Sequence, residues 1–263
     1  MENVVSFDWK LSLARPLSYL TRSYDCRHIP PCPDMHSALH LGLSISGYMR
    51  GIFADETLTT HKGEFYLTAP WEPHCTVFTS EEHELLLINI DWESLQNCFF
   101  TGRSRLEQLL LMKPKARMEF INRKLKESSL GESLLHTVGQ MQSERQELMI
   151  WTLVQQIFIT ALPECDNAPC TVGTYQRLLP ALRNLSGRLL TLNEAAALCN
   201  LSTSHFARLF KGRFALSFAR YERNFRLNGA SGAIHRGATL KEAADEWGFC
   251  DKSHLARLLK KRC

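Results

Sequence analysis

Short runs that alternate apolar and polar residues occupy the chain from about residue 39 to residue 90. The clearest runs span residues 39–45, 64–67 and 84–90. In the first run the odd-numbered positions are apolar, and the even-numbered ones are His40, Gly42 and Ser44. Because side chains alternate between the two faces of a strand, this pattern predicts antiparallel strands with one apolar and one partly polar face. A barrel or a sandwich has this character.

The apolar spacing changes to a helical period at Arg103, after which Leu106, Leu109 and Leu110 fall on one side of a helix. A longer helix is predicted over residues 143–162. There, apolar residues recur at helical spacing: Leu148, Trp151, Phe158 and Leu162. Such a stripe is either the core of its own domain or a contact with a second copy of the chain, and the pattern leaves both open.

A segment without periodicity, residues 163–172, contains two prolines among polar residues and is predicted to be a linker. It separates a domain at residues 1–162 from a domain at residues 173–263. From residue 171 onward the chain has 16 Lys and Arg against 6 Asp and Glu, a balance of +10, whereas the first 170 residues have −6. This asymmetry indicates a polyanionic partner for the second domain, double-stranded DNA first, although a solvated basic surface gives the same count.

The composition is that of an ordinary soluble globular protein, with 263 residues, 44% hydrophobic and 22% charged. We find no signal peptide and no run of about 18 apolar residues, so we expect a cytoplasmic protein without membrane contact. The nine cysteines are odd in number and include no C-x-x-C pair. This favours reduced thiols over disulfides or structural zinc.

The second domain contains an internal repeat. Residues 191–196 match residues 239–244, and residues 204–211 match residues 253–260 with an offset of 49 positions. The first stretch of each copy is a Thr-x-x-Glu capping box, which marks the start of a helix. The order in each copy is therefore a short helix, a tight turn and a second helix, which predicts a helix-turn-helix unit.

The turn and the outer stripe of each second helix carry further signals. Asn200 or Gly248 is suited to a positive φ in the turn, and Ser202 or Asp251 is suited to capping the next helix. The side opposite the apolar face carries hydroxyl and basic residues: Thr203, Ser204, Arg208, Lys211, Lys252, Ser253, Arg257 and Lys260. We expect these residues to contact DNA in the major groove, the two arginines at guanine edges or nearby phosphates.

This part of the chain resembles the AraC/XylS-type transcription regulators. The resemblance rests on residues 201–211, on Tyr221 with Arg226 and Leu227, and on residues 242–257. It implies a seven-helix module in which a longer helix, near residues 218–233, joins two helix-turn-helix units that enter successive major grooves. It also implies RNA polymerase as a partner, and activation as the commoner outcome.

Two glycines depart from the family pattern. Gly229 and Gly232 fall inside the joining helix, where each costs up to about 1 kcal/mol relative to alanine. We therefore expect this helix to be short or bent.

The first domain is similar, more weakly, to a cupin barrel followed by helices. The similarity rests on the glycine- and proline-containing segments at residues 63–67 and 70–74. The fold class implied is α+β with two domains, an N-terminal cupin-like β-barrel with flanking helices and a C-terminal all-α double helix-turn-helix. Against the cupin pattern, His36, His40 and His74 fall at positions that hold a metal. Because sensory cupins often keep such residues without metal, we expect no metal and no cofactor.

An effector pocket is expected in the first domain, since barrel mouths are favoured sites for small molecules. The candidate lining residues are His40, Tyr48, Phe53, Trp71 and His74. The alternative is that the aromatic residues simply fill the interior of the barrel.

No nucleophile elbow, phosphate loop, dinucleotide fingerprint or His-Glu-x-x-His helix is present in the sequence. We therefore expect a sequence-specific DNA-binding transcription regulator that responds to an effector, and no enzyme. Two alternatives stay open: a cupin-type metal-dependent enzyme that uses the three histidines, and a regulator that acts mainly through protein contacts.

Overall fold

The computed structural model describes residues 11–24, 33–54, 56–78, 83–99, 101–164 and 174–260. A part built from strands and helices precedes a part built only from helices. Most of the predicted linker at 163–172 lies outside the described residues, so the domain boundary stays a prediction. Across the described ranges, no helix combines the length and the apolar character that crossing a bilayer requires.

In the described residues of the N-terminal part, seven antiparallel strands form two sheets. The strands are β1 (Leu17–Tyr24), β2 (Leu39–Ser46), β3 (Tyr48–Phe53), β4 (Thr57–His61), β5 (Phe65–Thr68), β6 (His74–Phe78) and β7 (His83–Ile90). One sheet has the order β1-β7-β2-β5 and the other has the order β4-β3-β6. Among the described residues these sheets do not close into a ring, so the predicted barrel is an open pair of sheets.

In the described residues, five helices follow the strands: α1 (Trp92–Cys98), α2 (Arg103–Leu111), α3 (Pro114–Leu125), α4 (Leu130–Val138) and α5 (Glu144–Thr160).

Strand β5 lies at the edge of the four-stranded sheet, and a side chain of α3 bonds to its backbone. Asn122 of α3 accepts from the backbone N–H of Phe65 at 2.7 Å and donates to its carbonyl at 2.9 Å. Side chains of a helix thus satisfy the backbone groups that a further strand would have paired.

The inner face of the four-stranded sheet is polar at its centre. His40 of β2 lies opposite Thr68 of β5 and opposite Asn89 of β7 in the register, and all three are buried. The predicted alternation in the first strand is therefore correct, but both faces of that strand are covered.

The predicted stripe on the long helix α5 is wrong in part. Phe158 is buried, but Leu148 is 60% exposed, and the residues that face the core are Ile150, Val154 and Ile157. The reason is that Gln146 lies on the inward side, where its Nε2 donates to the carbonyls that end α4. This polar contact fixes the rotation of α5 and turns Leu148 outward.

Six helices form the described C-terminal part. They are α6 (Thr174–Arg183), α7 (Leu192–Leu198), α8 (Thr203–Phe214), α9 (Phe218–His235), α10 (Leu240–Glu246) and α11 (Lys252–Lys260). Both predicted capping boxes are present, with Thr191 paired to Glu194 and Thr239 paired to Glu242. Helices α7 and α8 form the first helix-turn-helix unit, α10 and α11 form the second, and α9 joins them.

The joining helix α9 is continuous over 18 residues, so the expected shortening at its glycines does not occur. A Cβ built on Gly229 would lie 2.1 Å from the ring of Trp247, which comes from the turn of the second unit. Gly229 is therefore the point at which the second unit packs against α9. The cost in helix propensity at this position is offset by the contact that it allows.

Replacing Gly229 by alanine is expected to destabilise the second unit by about 1–3 kcal/mol, because the Trp247 ring must leave its place. Gly212 in α8 is the matched control, since a Cβ there meets nothing within 4 Å and alanine favours the helix. Urea unfolding of both variants measures the difference. Equal stability of Gly229→Ala and the wild type would contradict this packing.

Candidate nucleic-acid interface and adjoining cleft

The predicted DNA-contacting residues lie on the outer sides of α8 and α11. Those that are exposed are Ser204, Arg208, Lys211, Lys252, Ser253, Arg257 and Lys260. Thr203 is half-buried, and its hydroxyl donates to Asn193 of α7 at 3.2 Å. The structure thus places seven of the eight on the surface and gives Thr203 a contact within the unit.

We call α8 and α11, the second helices of the two units, the recognition helices, and the turn that leads into each has the predicted geometry. Asn200 has a φ of 52° and Gly248 has a φ of 64°, both in the left-handed region. The Ser202 hydroxyl accepts from the N–H of His205 at 3.3 Å, and the Asp251 carboxylate accepts from the N–H of His254 at 2.7 Å. Two backbone donors that a helix leaves unpaired at its start are satisfied in this way.

A buried ion pair anchors the second unit on α9. Glu222 and Arg226 pair at 2.6 Å, and the same guanidinium donates to the carbonyls of Trp247 and Gly248 at 3.1 and 2.9 Å. The guanidinium also lies over the ring of Phe249, 4.8 Å from its centroid. The family resemblance rested in part on Arg226, and its role here is to hold the turn before α11.

A buried carboxylate joins the first unit to the N-terminal part. Glu72 pairs with Arg117 of α3 and, at 3.5 Å, with Arg213 of α8. Both guanidinium groups also donate to the carbonyl of Leu110, at 3.0 and 3.2 Å. Burial alone would raise the pKa of Glu72, but the two arginines hold that pKa below its usual value. We call these three side chains the Glu72 clamp.

Further contacts run between the strand-containing part and helices α6 and α9. The Tyr221 hydroxyl donates to the carbonyl of Trp71 at 2.6 Å, and Gln176 donates to Glu107 at 2.7 Å. Asn228 also donates to the carbonyl of Pro33. One continuous hydrophobic core includes buried residues of both sheets and of α6 to α9, whereas the second unit has a separate cluster.

A cleft of about 310 Å³ opens beside the clamp, between the strand-containing part and α8. Phe53, Leu111 and Phe214 give it an apolar wall, and Lys113 and Arg208 give it cationic groups at the rim. The negative charge of Glu72 is already offset by its two arginines. This arrangement suits a ligand with an apolar body and an anionic head.

The five candidate effector residues lie in several places. His40 and His74 lie together, and Phe53, which is opposite His74 in the register of β3 and β6, lines the cleft. Trp71 lies beside Phe225 of α9 with ring centroids 6.3 Å apart. Tyr48 is 42% exposed.

Three histidines meet between the two sheets. The ring centroids of His36 and His40 are 4.1 Å apart, and those of His74 lie 5.0 and 5.4 Å from them. All three are buried, and burial holds the pKa values of His36 and His40 well below their usual value. Burial thus favours the neutral form of His36 and His40, and a neutral imidazole offers a ring nitrogen as a metal ligand.

The sequence did not indicate the roles of Arg117, Arg213 and Glu72. Arg117 lies in a stretch that reads as polar and solvated, yet its side chain is fully buried. The one local signal was Glu72 itself, placed between two prolines in the element that carries His74. No periodic pattern links residues so far apart in the chain.

Comparison with known proteins agrees with this geometry. Residues 195–263 match a helix-turn-helix domain family. The fold resembles ToxT of Vibrio cholerae, with a TM-score of 0.57 and 11% identity over 94% of each chain. ToxT of V. cholerae O395 bound to (E)-4-(8-methylnaphthalen-1-yl)but-3-enoic acid gives 0.55 and 10%, covering 93% of this chain and 94% of that one.

A third similar structure is ToxT of V. cholerae strain SCE256 bound to an unsaturated fatty acid, with a TM-score of 0.52 and 12% identity over 94% of this chain and 90% of that one. At these identities the likeness concerns the fold: an N-terminal part rich in strands and a C-terminal helical part. No curated protein matches the sequence.

Replacing Glu72 by glutamine is expected to destabilise the protein by about 3–5 kcal/mol at pH 7, because two buried guanidinium groups lose their counter-charge. The folded-state pKa of Glu72 is below its ordinary 4.5, so its contribution is fully present above that pH. The contribution disappears as the pH falls through the folded-state pKa. Urea unfolding at pH 7 and at steps below pH 4.5 measures both effects, and the difference from wild type should shrink in acid.

The matched control for this substitution is Glu93→Gln. Glu93 pairs with Arg183 across the same two parts of the chain, but both side chains are more than half exposed. Exposed pairs contribute about 0–1 kcal/mol. Similar small losses in both variants would show that the Glu72 clamp does not carry the predicted energy.

Proposed function

From the AraC-type helix-turn-helix domain that the chain carries at residues 195–263, we propose that the protein is a sequence-specific, effector-responsive regulator of transcription that binds double-stranded DNA. The observation that carries the proposal is the repetition of one unit. Two second helices, α8 and α11, present exposed serine and basic residues at matching positions on a strongly basic segment. A single basic helix would not require this duplication.

The roles of individual residues follow from their chemistry. The guanidinium groups of Arg208 and Arg257 can donate two hydrogen bonds to a guanine edge. Ser204 and Ser253, near the start of each helix, reach bases, and the lysines at 211 and 260 contact phosphates. In this assignment the arginines and serines recognise the base sequence, whereas the lysines position the protein on the DNA backbone.

For the effector we propose an amphipathic carboxylate in the cleft beside α8. Two ToxT structures of similar fold hold carboxylic acids with apolar bodies, an arylbutenoic acid and an unsaturated fatty acid. The apolar wall and the cations at the rim support the same ligand class here. Of the five effector-binding residues predicted from the sequence, Phe53 lines this cleft.

Arg208 connects the two activities in this proposal. It lines the cleft, and it is also one of the two arginines assigned to DNA. A carboxylate that pairs with Arg208 would draw it away from the groove, so acid and DNA are expected to weaken each other's binding.

We further propose that the protein acts in the cytoplasm, activates transcription through RNA polymerase and binds DNA as a homodimer. The exposed apolar residues Leu148 and Ile159 of α5, 60% and 59% accessible, support the homodimer. No catalytic role is assigned.

Replacing Arg257 by alanine is expected to cost about 1–3 kcal/mol of affinity for a selected operator, and to relax the base preference at one position. The operator is obtained by selecting random duplexes on the purified full chain at two salt concentrations. Lys241→Ala is the control, because Lys241 is basic and exposed but belongs to α10, the first helix of its unit.

Binding of selected and random duplexes should respond differently to Arg257→Ala. An equal loss on both would make Arg257 a phosphate contact. Retention of DNA without any enriched sequence, vanishing at the higher salt, would contradict sequence-specific regulation as a whole.

Replacing Lys113 by methionine is expected to weaken binding of oleate to the full chain about tenfold or more, because a charged partner of the carboxylate is lost while the apolar stem remains. Titration calorimetry measures the affinity. Lys115→Met is the control, since Lys115 is exposed in the first turn of α3, two residues after Lys113, and does not line the cleft. Equal binding of oleate and oleyl alcohol to the wild type would argue against an anion site.

A further inference from the structure

We propose that His36, His40 and His74 form a binding site for one divalent transition-metal ion of the kind that imidazole nitrogen binds, such as Zn²⁺. The proposal departs from the expectation of a metal-free domain. It does not depend on the proposed function, since it concerns the space between the two sheets and neither the DNA-binding helices nor the cleft.

The distances between the ligand atoms carry the first step. One ring nitrogen from each histidine lies within 4.8 Å of the others. A tetrahedral ion with metal–nitrogen bonds of about 2.0–2.1 Å needs its ligands about 3.3 Å apart. Rotations about the side-chain torsions that bring the nitrogens up to about 1.5 Å closer would close the site around an ion.

The hydrogen bonds of the rings set which nitrogen faces the ion. Nδ1 of His36 lies 3.0 Å from the carbonyl of Ala38, and Nδ1 of His74 lies 2.9 Å from the carbonyl of Glu72. A carbonyl only accepts, so each Nδ1 carries the proton and each Nε2 keeps its lone pair. Histidines that bind metals are held in this way, with the second nitrogen donating to a backbone carbonyl.

The backbone presents the three side chains from paired segments. The N–H of His74 donates to the carbonyl of Asp34, and the N–H of Trp71 donates to the carbonyl of His36 at 2.6 Å. His40 lies inside β2, between β5 and β7 in the sheet. Ligands on rigid, mutually bonded segments lose little freedom when they bind an ion.

The ligand set indicates the class of metal. Three imidazoles without a carboxylate or thiolate suit Zn²⁺ and its neighbours in the first transition row, and suit Mg²⁺ and Ca²⁺ poorly. Three protein ligands leave a fourth position for water or another small ligand. No second cluster of three or more such side chains occurs among the described residues.

Cobalt titration of the metal-free full chain tests the proposal. The protein is stripped with a chelator, kept reduced with a phosphine, and titrated with Co²⁺ at neutral pH. We expect visible ligand-field absorption that saturates at about one Co²⁺ per chain and disappears when Zn²⁺ is added. This measurement uses the wild type alone, so it does not depend on whether a variant folds.

Two variants locate the ion. His40→Asn is expected to weaken Co²⁺ binding by more than about 100-fold, beyond what loss of an outer hydrogen bond causes. His83→Asn is the matched control, because His83 is equally buried in β7 but does not belong to the cluster. Circular dichroism checks that both variants are folded.

Three outcomes would overturn the site. They are the absence of saturable Co²⁺ binding, equal weakening by His40→Asn and His83→Asn, and strong near-ultraviolet absorption from sulfur bound to cobalt. The last would place the ion on cysteines. DNA binding is measured on the same preparations, so that failure of the metal site and failure of the regulator proposal are read separately.

Discussion

A buried carboxylate determines how the two parts of this protein are joined. Glu72 is buried and lies between two buried guanidinium groups, one from the N-terminal part and one from recognition helix α8. Charges in such a place are tolerated only when their partners are all present. Arg117 also donates to the carbonyls of Leu67 and Met112, so the same group fixes β5 and the turn before α3. The Glu72 clamp therefore couples the packing of the N-terminal part to the position of α8.

The two helix-turn-helix units are attached to the rest of the molecule in different ways. The first unit shares its hydrophobic core with the sheets, through Phe206, Phe210 and Tyr221. The second unit has a core of its own and is held to α9 by Arg226 and by the place that Gly229 leaves for Trp247. The N-terminal part thus packs directly on the first unit, whereas the second unit packs on α9 and on the backbone near Gly187, before α7. Because the two units match in sequence, this difference in their attachment is not visible from the sequence.

The sequence predictions that are correct concern features set by interactions between residues close together in the chain. The capping boxes at Thr191 and Thr239, the positive φ at Asn200 and the strands predicted at residues 39–45 and 84–90 depend on a few neighbouring residues. The exposed sides of the recognition helices follow from helical periodicity in the same way.

The features that the sequence did not predict depend on residues distant in the chain. The outward turn of Leu148 follows from hydrogen bonds of Gln146 to the end of α4, and the continuity of α9 follows from Trp247 packing at Gly229. The four-stranded sheet ends at β5, where the side chain of Asn122 bonds to the backbone of Phe65. In each case one polar or bulky group overrides a local preference, and its partner is more than four residues away.

The segment from Trp71 to His74 brings these features together in four residues. Trp71 has a φ of 60°, which is unusual for a bulky residue, and hydrogen bonds to His36 and Tyr221 hold it there. The next residue supplies the carboxylate of the Glu72 clamp, and its carbonyl accepts from His74 in the histidine cluster. A shift of this segment would alter the histidine cluster, the clamp and the contact with α9 at once. Because its backbone is strained and its partners lie in three places, the segment ties the packing between the two sheets to the positions of α8 and α9.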